Sequence, residues 1–282
     1  MAAKLLIPIF VVLVVASFAG GILLGSNMSS GASTNFSSIC PGYGLLDKIK
    51  ERGKLVVGTS ADWPPYEYVT PSGEFAGIDI EIAKRIAQEL GVKLEIKDLK
   101  FAALFEAVRR GDIDMAIADI AMKPERLQAV DFTIPYRCEL EKSIIMRKAD
   151  ASSYQGYESL SGKKIGVQLG TTEQDLAEKY LGKSAEIVTY DRVYPEMVMA
   201  LKAGHVDAIV VAPDVAELIV SKEKDLVVVG GLPIFTCSVI AIPHCAYDFK
   251  QKVSQVLWGL RQSGEFDNIV KSEIDKWMQL QG

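Results

Sequence analysis

Histidine, cysteine and clustered basic residues are scarce in this chain, and each scarcity argues against a class of protein. The 282 residues include two histidines and four cysteines, and no Cys-x-x-Cys pair occurs. A zinc site or a histidine-based catalytic triad is therefore not expected. The net charge is −5 and basic residues form no block, so nucleic acid is not an expected partner. We accordingly expect no metal site.

Apolar residues are plentiful and begin near the N-terminus. Hydrophobic residues make up 49% of the chain, enough for a large core in one or two domains. The run from Leu5 to Leu24 is long enough to span a bilayer, and residues 1–25 are interpreted as a retained membrane anchor. The alternative is a signal peptide cleaved near Ser17-Phe18-Ala19. We favour the anchor because the apolar run continues past that point, and under either interpretation the rest of the chain is exported.

Residues 26–41 are rich in Ser, Gly and Asn, which indicates a flexible tether. Two Asn-x-Ser sequons begin at Asn27 and Asn35. They match the glycosylation pattern, although the motif alone is a weak signal.

Beyond residue 53, short apolar segments alternate with segments of helical period. This alternation predicts an α/β fold with mainly parallel sheets flanked by helices. Strands are predicted at 55–58, 92–96, 115–118, 164–167, 186–189 and 207–211, and helices at 79–90, 102–110, 172–180 and from Pro195 to Gly204.

An internal echo suggests two similar lobes. Residues 107–118 parallel residues 200–211: in both, a helix ends at glycine, and Ile-Asp or Val-Asp then starts a buried strand. Each lobe would present a strand end and a loop to a shared cleft, a common location for ligand sites.

Arg126 occupies such a strand end. The apolar run 115–118 is followed by Asp119, and Pro124 stands where a first helical position is expected. Arg126 should therefore lie on a helical turn just beyond the carboxyl end of a strand, where open α/β sheets bind ligands. A fixed guanidinium there suits a carboxylate, which it can hold with two parallel hydrogen bonds.

Several short motifs occur along the chain: Gly58-Thr59, Pro65-Tyr66-Glu67-Tyr68, Gly77-Ile78-Asp79, Pro124-Glu125-Arg126, Asp131-Phe132, Pro135-Tyr136 and Val167-Gln168-Leu169-Gly170-Thr171-Thr172. Together they resemble the amino-acid-binding proteins of ABC importers, solute-binding protein family 3, which have the type II periplasmic-binding-protein fold. The resemblance covers about residues 46–278. It implies two lobes with a shared cleft, lobe 1 from residues 42–136 and 237–282 and lobe 2 from residues 137–236.

The resemblance also implies the ligand contacts. Trp63 and Phe101 would form an apolar slot around a ligand side chain, and Arg126 would hold the ligand carboxylate together with the helix start at Thr171 and Thr172. The full set of expected binding residues is Ser60, Trp63, Phe101, Asp119, Ala121, Arg126, Gln168, Gly170, Thr171, Thr172 and Ala212. Some members have aspartate in place of Ser60, so its neutral hydroxyl argues mildly against a dedicated lysine or arginine receptor.

The chain departs from the family pattern where the ligand ammonium is usually bound. The family's aspartate at 212 is Ala212, and its glycine at 119 and threonine at 121 are Asp119 and Ala121. We hypothesise that Asp119 binds the ligand ammonium in place of the family's aspartate at 212. An alternative is that Asp119 meets a cationic side chain or another amine. Asp214 could also bind the ammonium, but it fits better as the N-cap of a helix predicted over 215–221.

An even number of cysteines in an exported chain permits disulfides. Cys138 follows the first inter-lobe crossing and Cys237 lies in the return strand, so we hypothesise a Cys138–Cys237 bridge. A Cys40–Cys245 bridge is its weaker companion, and four unpaired thiols are the alternative.

The resemblance implies, as the favoured function, a monomeric extracytoplasmic receptor, membrane-anchored or secreted, that delivers a small polar amino acid to an ABC permease. It implies no cofactor and no catalytic residues. The lobes of this receptor would close through crossings near residues 135–140 and 232–239. One alternative is a sensory protein for another small charged organic molecule. A less favoured alternative is an enzyme like the cyclohexadienyl or arogenate dehydratases, with Glu173 as general acid.

Overall fold

The computed structural model describes residue 40 and residues 42–280. The N-terminal apolar segment, almost all of the predicted tether and both sequons lie outside the described residues. No helix in the described part of the chain combines the length and apolar character of a membrane span.

The described chain alternates strands and helices. The first half contains α1 (Leu45–Arg52), β1 (Lys54–Thr59), β2 (Asp62–Trp63), β3 (Glu67–Val69), β4 (Phe75–Ala76), α2 (Ile78–Leu90), β5 (Lys93–Asp98), α3 (Leu104–Arg110), β6 (Met115–Ala116), β7 (Asp131–Phe132) and β8 (Arg137–Arg147). The second half contains β9 (Lys164–Gln168), α4 (Thr172–Leu181), β10 (Glu186–Tyr190), α5 (Val198–Lys202), β11 (Ala208–Val211), α6 (Pro213–Lys222), β12 (Leu226–Ser238), β13 (Ala241–Ile242), α7 (Tyr247–Gln262) and α8 (Glu265–Leu280). Short 3₁₀ turns cover Phe101–Ala103, Pro124–Gln128, Ala151–Ser153 and Tyr157–Leu160, and a π turn covers Val193–Met197.

Lobe 1 is built on a five-stranded sheet in the order β5-β1-β6-β13-β7. Its strands β5, β1 and β6 are parallel, and β13 returns antiparallel to β6 and β7. Strand β1 is buried along almost its whole length, as expected of a parallel strand covered on both faces. A small sheet, β2-β3-β4, carries Trp63 and Glu67 beside this lobe.

Lobe 2 is built on a second five-stranded sheet in the order β10-β9-β11-β8-β12. Its longest feature is the antiparallel ladder of β8 and β12, which runs from the Arg147–Leu226 pair to the Arg137–Ser238 pair. The domain boundaries expected at 136/137 and 236/237 fall at the end of this ladder.

Asp114 and Asp207, which occupy equivalent positions in the similar segments 107–118 and 200–211, make the same contact in the two lobes. Asp114 accepts a hydrogen bond from the Val56 amide at 2.7 Å, and Asp207 accepts one from the Lys164 amide at 2.8 Å. Each aspartate therefore ties the start of its strand to the first parallel strand of its lobe. The glycine before it, Gly111 or Gly204, has a φ of 76° or 78°, which glycine adopts without steric cost.

The four cysteines form two disulfides, Cys40–Cys245 and Cys138–Cys237. These are the two pairings considered from the sequence. Cys138 and Cys237 stand directly opposite each other in the β8–β12 ladder.

Gly77, at the start of α2, should tolerate no side chain. Its φ is 121°, and a Cβ there would lie 2.2 Å from the Tyr66 carbonyl oxygen. We predict that Gly77→Ala lowers the free energy of unfolding by about 3 kcal/mol. Gly73 also has a positive φ, but a Cβ there would meet no atom within 4 Å, so Gly73→Ala should cost about 1 kcal/mol. Urea unfolding of both variants tests this, and equal losses would contradict it.

Candidate ligand-binding site

A small cavity lies between the two lobes. Its walls come mainly from the segment after β6 and from the end of β9 with the start of α4. The lining residues are Trp63, Glu67, Phe101, Ala118, Asp119, Ala121, Arg126, Gln168, Thr171, Thr172 and Glu173.

Every expected binding residue lines this cavity except Ser60, Gly170 and Ala212. The Ser60 hydroxyl donates instead to Asp62 Oδ1 at 2.5 Å. Ala212 is buried directly before α6. Gly170 takes part through its carbonyl, which accepts from Arg126 Nη2 at 2.9 Å.

Arg126 is a buried cation held by neutral partners. Pro124 begins the 3₁₀ turn that carries it, as the sequence predicted. Arg126 Nη1 donates to the Ala121 carbonyl at 2.5 Å, and the guanidinium lies 4.5 Å from the Phe105 ring centroid. Burial lowers its pKa to about 10, so it remains charged at neutral pH. Within residues 42–280 no carboxylate lies at salt-bridge distance from it, whereas a buried cation is expected to have an anionic partner.

The N-terminus of α4 faces the cavity from lobe 2. Thr171 is its N-cap, and the Thr171 hydroxyl accepts from the Gln174 amide at 3.3 Å and donates to the Gln168 carbonyl at 2.7 Å. The capping role of Thr171 is compatible with ligand binding, because both bring the positive end of the helix towards the cavity.

Asp119 already has a cationic partner, Arg137, which sequence reasoning missed. Its Oδ1 lies 3.4 Å from Arg137 Nη1 and also accepts from the Ser238 hydroxyl, and its Oδ2 accepts from Trp63 Nε1 at 3.2 Å. The Asp119 backbone has a φ of 43°, and its amide donates to Asp79 Oδ2 at 2.7 Å. Burial raises the pKa of the Asp119 carboxyl, and the charge of Arg137 opposes that rise.

Glu67 is a second acidic group in the cavity that the sequence analysis did not single out as a ligand contact. It is 1% exposed, and its carboxyl group is within hydrogen-bonding reach of Asp79. Glu67 Oε2 and Asp79 Oδ1 have no N–H or O–H donor among the described residues, so one proton shared between the two carboxyls satisfies both. Burial raises the pKa of Glu67, and that of Asp79 to about 7. The sequence signal that could have pointed to Glu67 was its position between Tyr66 and Tyr68.

The two lobes touch directly around the cavity. Gln168 Nε2 donates to Asp62 Oδ2 at 3.0 Å, and Arg192 Nη1 pairs with Asp98 Oδ1 at 2.7 Å. Burial raises the pKa of Asp62 to about 6. The cleft is therefore closed in this structure.

A model of the bacterial extracellular solute-binding proteins, family 3, matches residues 55–279. The chain belongs to this family. Its fold and receptor role are those of extracytoplasmic solute-binding proteins.

The individual relatives that this chain matches include amino-acid-binding proteins. The L-cystine-binding protein TcyJ of Escherichia coli is 31% identical over 67% of this chain and 70% of that protein. The arginine-binding extracellular protein ArtP of Bacillus subtilis is 30% identical over 79% of this chain and 86% of its own length. The substrate-binding protein AbpA of Streptococcus pneumoniae, solved with L-arginine, superposes with a TM-score of 0.77 and 30% identity, covering 84% of this chain and 99% of AbpA.

In this solute-binding protein, Glu173 is held as a carboxylate. Its Oε1 lies 2.7 Å from Nζ of the buried Lys142, and its Oε2 accepts from the Thr172 hydroxyl at 3.1 Å. Burial raises the pKa of Glu173, but the charge of Lys142 and the hydrogen bonds to the carboxylate together outweigh burial, and the net pKa is lowered. A carboxyl that stays ionised is a poor proton donor, which argues against Glu173 as a general acid.

Asp214 has a different role from the predicted N-cap. Helix α6 begins at Pro213, two residues before the predicted start at 215, since proline suits a first helical position, and its N-cap is Ala212. The prediction was therefore wrong. Asp214 accepts instead from the Tyr66 hydroxyl and from Arg137 Nη2, the latter at 2.9 Å.

The Glu67–Asp79 pair should make stability depend on pH. Both groups have pKa values in the folded protein above those of the unfolded chain, so the folded state binds more protons between about pH 4.5 and 7. The free energy of unfolding should therefore fall as pH rises through this window. We predict a shallower fall for Glu67→Gln, because the amide supplies its hydrogen bond to Asp79 without titrating.

Urea unfolding from pH 4.5 to 8 measures this slope. The matched control is Glu51→Gln on the exposed face of α1, which should keep the wild-type slope. Identical slopes for the Glu67→Gln variant and the wild type would contradict the shared proton.

Proposed function

We propose that this receptor captures a basic amino acid, with arginine as the best candidate, and delivers it to an ATP-driven importer. The observation that carries the proposal is Arg126, a buried cation with carbonyl and aromatic partners. Three acidic groups line the same cavity, and of these Glu173 is paired with Lys142 while Asp119 and Glu67 face the ligand space. Such a site suits a ligand with one carboxylate and more than one positive charge.

The ligand carboxylate should bind Arg126. The guanidinium is fixed by the Ala121 and Gly170 carbonyls, and its other N–H groups suit a bidentate carboxylate. The α4 N-terminus would add amide donors to the same group from lobe 2. Contacts from both lobes to one ligand group favour the closed state over an open one.

Asp119 remains our proposed acceptor for the ligand ammonium. Arg137 neutralises it only in part, because Glu139 and Asp214 lie 3.1 and 2.9 Å from the same guanidinium. Three carboxylates therefore contact the Arg137 guanidinium, and one of them, Glu139, is also paired with Lys142. Asp119 Oδ2 accepts a long bond from Trp63 and retains capacity for a further donor.

Glu67 is the proposed partner of a cationic ligand side chain lying between Trp63 and Phe101. The neutral Ser60 had argued against such a ligand, but Ser60 bonds to Asp62 and does not line the cavity. A positive group beside Glu67 would replace the proton shared with Asp79. Arginine is also the ligand in the names of ArtP and the AbpA complex.

The surrounding assembly is proposed from the family. An ABC permease would receive the ligand from the closed, monomeric receptor. The N-terminal apolar segment would anchor the receptor to the membrane, or would be removed to release it.

Proton release distinguishes a basic ligand from a neutral one. Arginine binding should expel about one proton per ligand near pH 7 through the Glu67–Asp79 pair. Calorimetry in two buffers of different ionisation enthalpy measures this number. We predict release with arginine and much less with glutamine, which should also bind about a hundredfold more weakly.

Glu67→Gln should abolish the release and reduce the preference for arginine over glutamine, while Glu51→Gln leaves both unchanged. Tight glutamine binding without proton release would contradict the proposal that the ligand has a basic side chain. Absence of binding to every amino acid would reject the proposed function itself.

Replacement of Arg126 tests the carboxylate contact. Lysine keeps the charge but loses the two-pronged donor geometry. We predict that Arg126→Lys weakens arginine binding by about a hundredfold, equivalent to about 3 kcal/mol. Arg109→Lys, at an exposed position of α3, is the matched control. An unchanged dissociation constant for Arg126→Lys would place the carboxylate elsewhere.

A further inference from the structure

The two faces of the β8–β12 ladder have different roles where the ladder reaches lobe 1. Side chains alternate between the faces of a strand. Leu140 and Phe235, 74% and 73% exposed, lie on the outer face with the exposed Cys138. Arg137 and the buried Ser238 lie on the other face. The disulfide therefore lies on the outer face, directly behind Arg137 and Ser238, which contact the cavity residue Asp119.

Inner-face residues beside the disulfide hold Asp119. Arg137, which precedes Cys138, lies 3.4 Å from Asp119 Oδ1. Ser238, which follows Cys237, donates to the same oxygen. One carboxylate oxygen is thus held by both strands that the disulfide joins.

The backbone of the cavity wall is attached at the same point. The Met122 amide donates to the Cys237 carbonyl at 3.1 Å, and the Val239 amide donates to the Ile120 carbonyl at 2.8 Å. Ala121, between these bonds, accepts from Arg126. The segment 119–122 and Arg126 are therefore positioned by the strand that contains Cys237.

We propose that the Cys138–Cys237 disulfide is a positioning element of the ligand site. By fixing the spacing of the two crossings, it keeps Asp119 and Arg126 in place for the ligand. Its loss weakens ligand binding rather than merely lowering stability. This inference rests on the proposed function for its affinity test. Cys138 is exposed, so a reductant can reach the bond.

The second disulfide provides a matched control. Cys40–Cys245 joins the start of the described chain to the segment before α7, where the Gly42 amide donates to the His244 carbonyl at 3.0 Å. None of these residues lines the cavity. Removal of this bond should lower stability without changing the site.

The affinity test compares Cys138→Ser/Cys237→Ser with Cys40→Ser/Cys245→Ser. Titration with arginine, well below both melting temperatures, should give a dissociation constant about tenfold higher or more for the first variant. The second should match the wild type. Reduction of the Cys40→Ser/Cys245→Ser protein with a phosphine should reproduce the loss, and reoxidation should restore affinity. Equal affinity in both double variants would overturn the proposal.

A second readout needs no ligand. Hydrogen exchange of the Met122 and Val239 amides should accelerate at least about tenfold when Cys138–Cys237 is absent, because local opening becomes easier. It should be unchanged when Cys40–Cys245 is absent. Unchanged exchange at both amides would overturn the inference even if no amino acid bound. Faster exchange without any amino acid binding would reject the proposed function alone.

Discussion

Burial of charge between the two lobes is the constraint on which the rest of the structure depends. Arg137 and Lys142 are surrounded by carboxylates, and both remain protonated. Arg126 differs, because its contacts in the described chain are carbonyls and aromatic rings. An unpaired buried charge is costly, so the site is most stable when an anion joins Arg126. The Arg126 guanidinium is thus in place to bind an anionic group of a ligand.

The fold supplies these charges from strand ends and crossings. Arg126 follows β6, the α4 N-terminus follows β9, and Arg137 begins the crossing strand β8. The lobes meet through ion pairs and hydrogen bonds, such as Arg192 with Asp98 and Gln168 with Asp62, and through apolar packing of Tyr194 and Leu218 against Trp277. The polar contacts can be exchanged for ligand contacts when the lobes move, as a closing receptor requires.

Local patterns predicted much of this arrangement. Pro124 located the turn that carries Arg126, and Gly111 and Gly204 located the ends of two helices. The family resemblance supplied the cavity residues Trp63 and Phe101. Partners that are not neighbours in sequence were not predictable: Arg137 lies 18 residues after Asp119, and strand β4 separates Glu67 from Asp79. The orientation of Ser60 likewise depends on its hydrogen bond to Asp62. Sequence alone did not show that the two side chains are in contact.

The most direct test of the account is a crystal structure with arginine bound. It should place the ligand carboxylate within about 3 Å of the Arg126 guanidinium nitrogens, the ammonium beside Asp119 Oδ2 and the ligand guanidinium beside Glu67. A carboxylate that binds away from Arg126, leaving that cation with its carbonyl partners alone, would contradict the central claim.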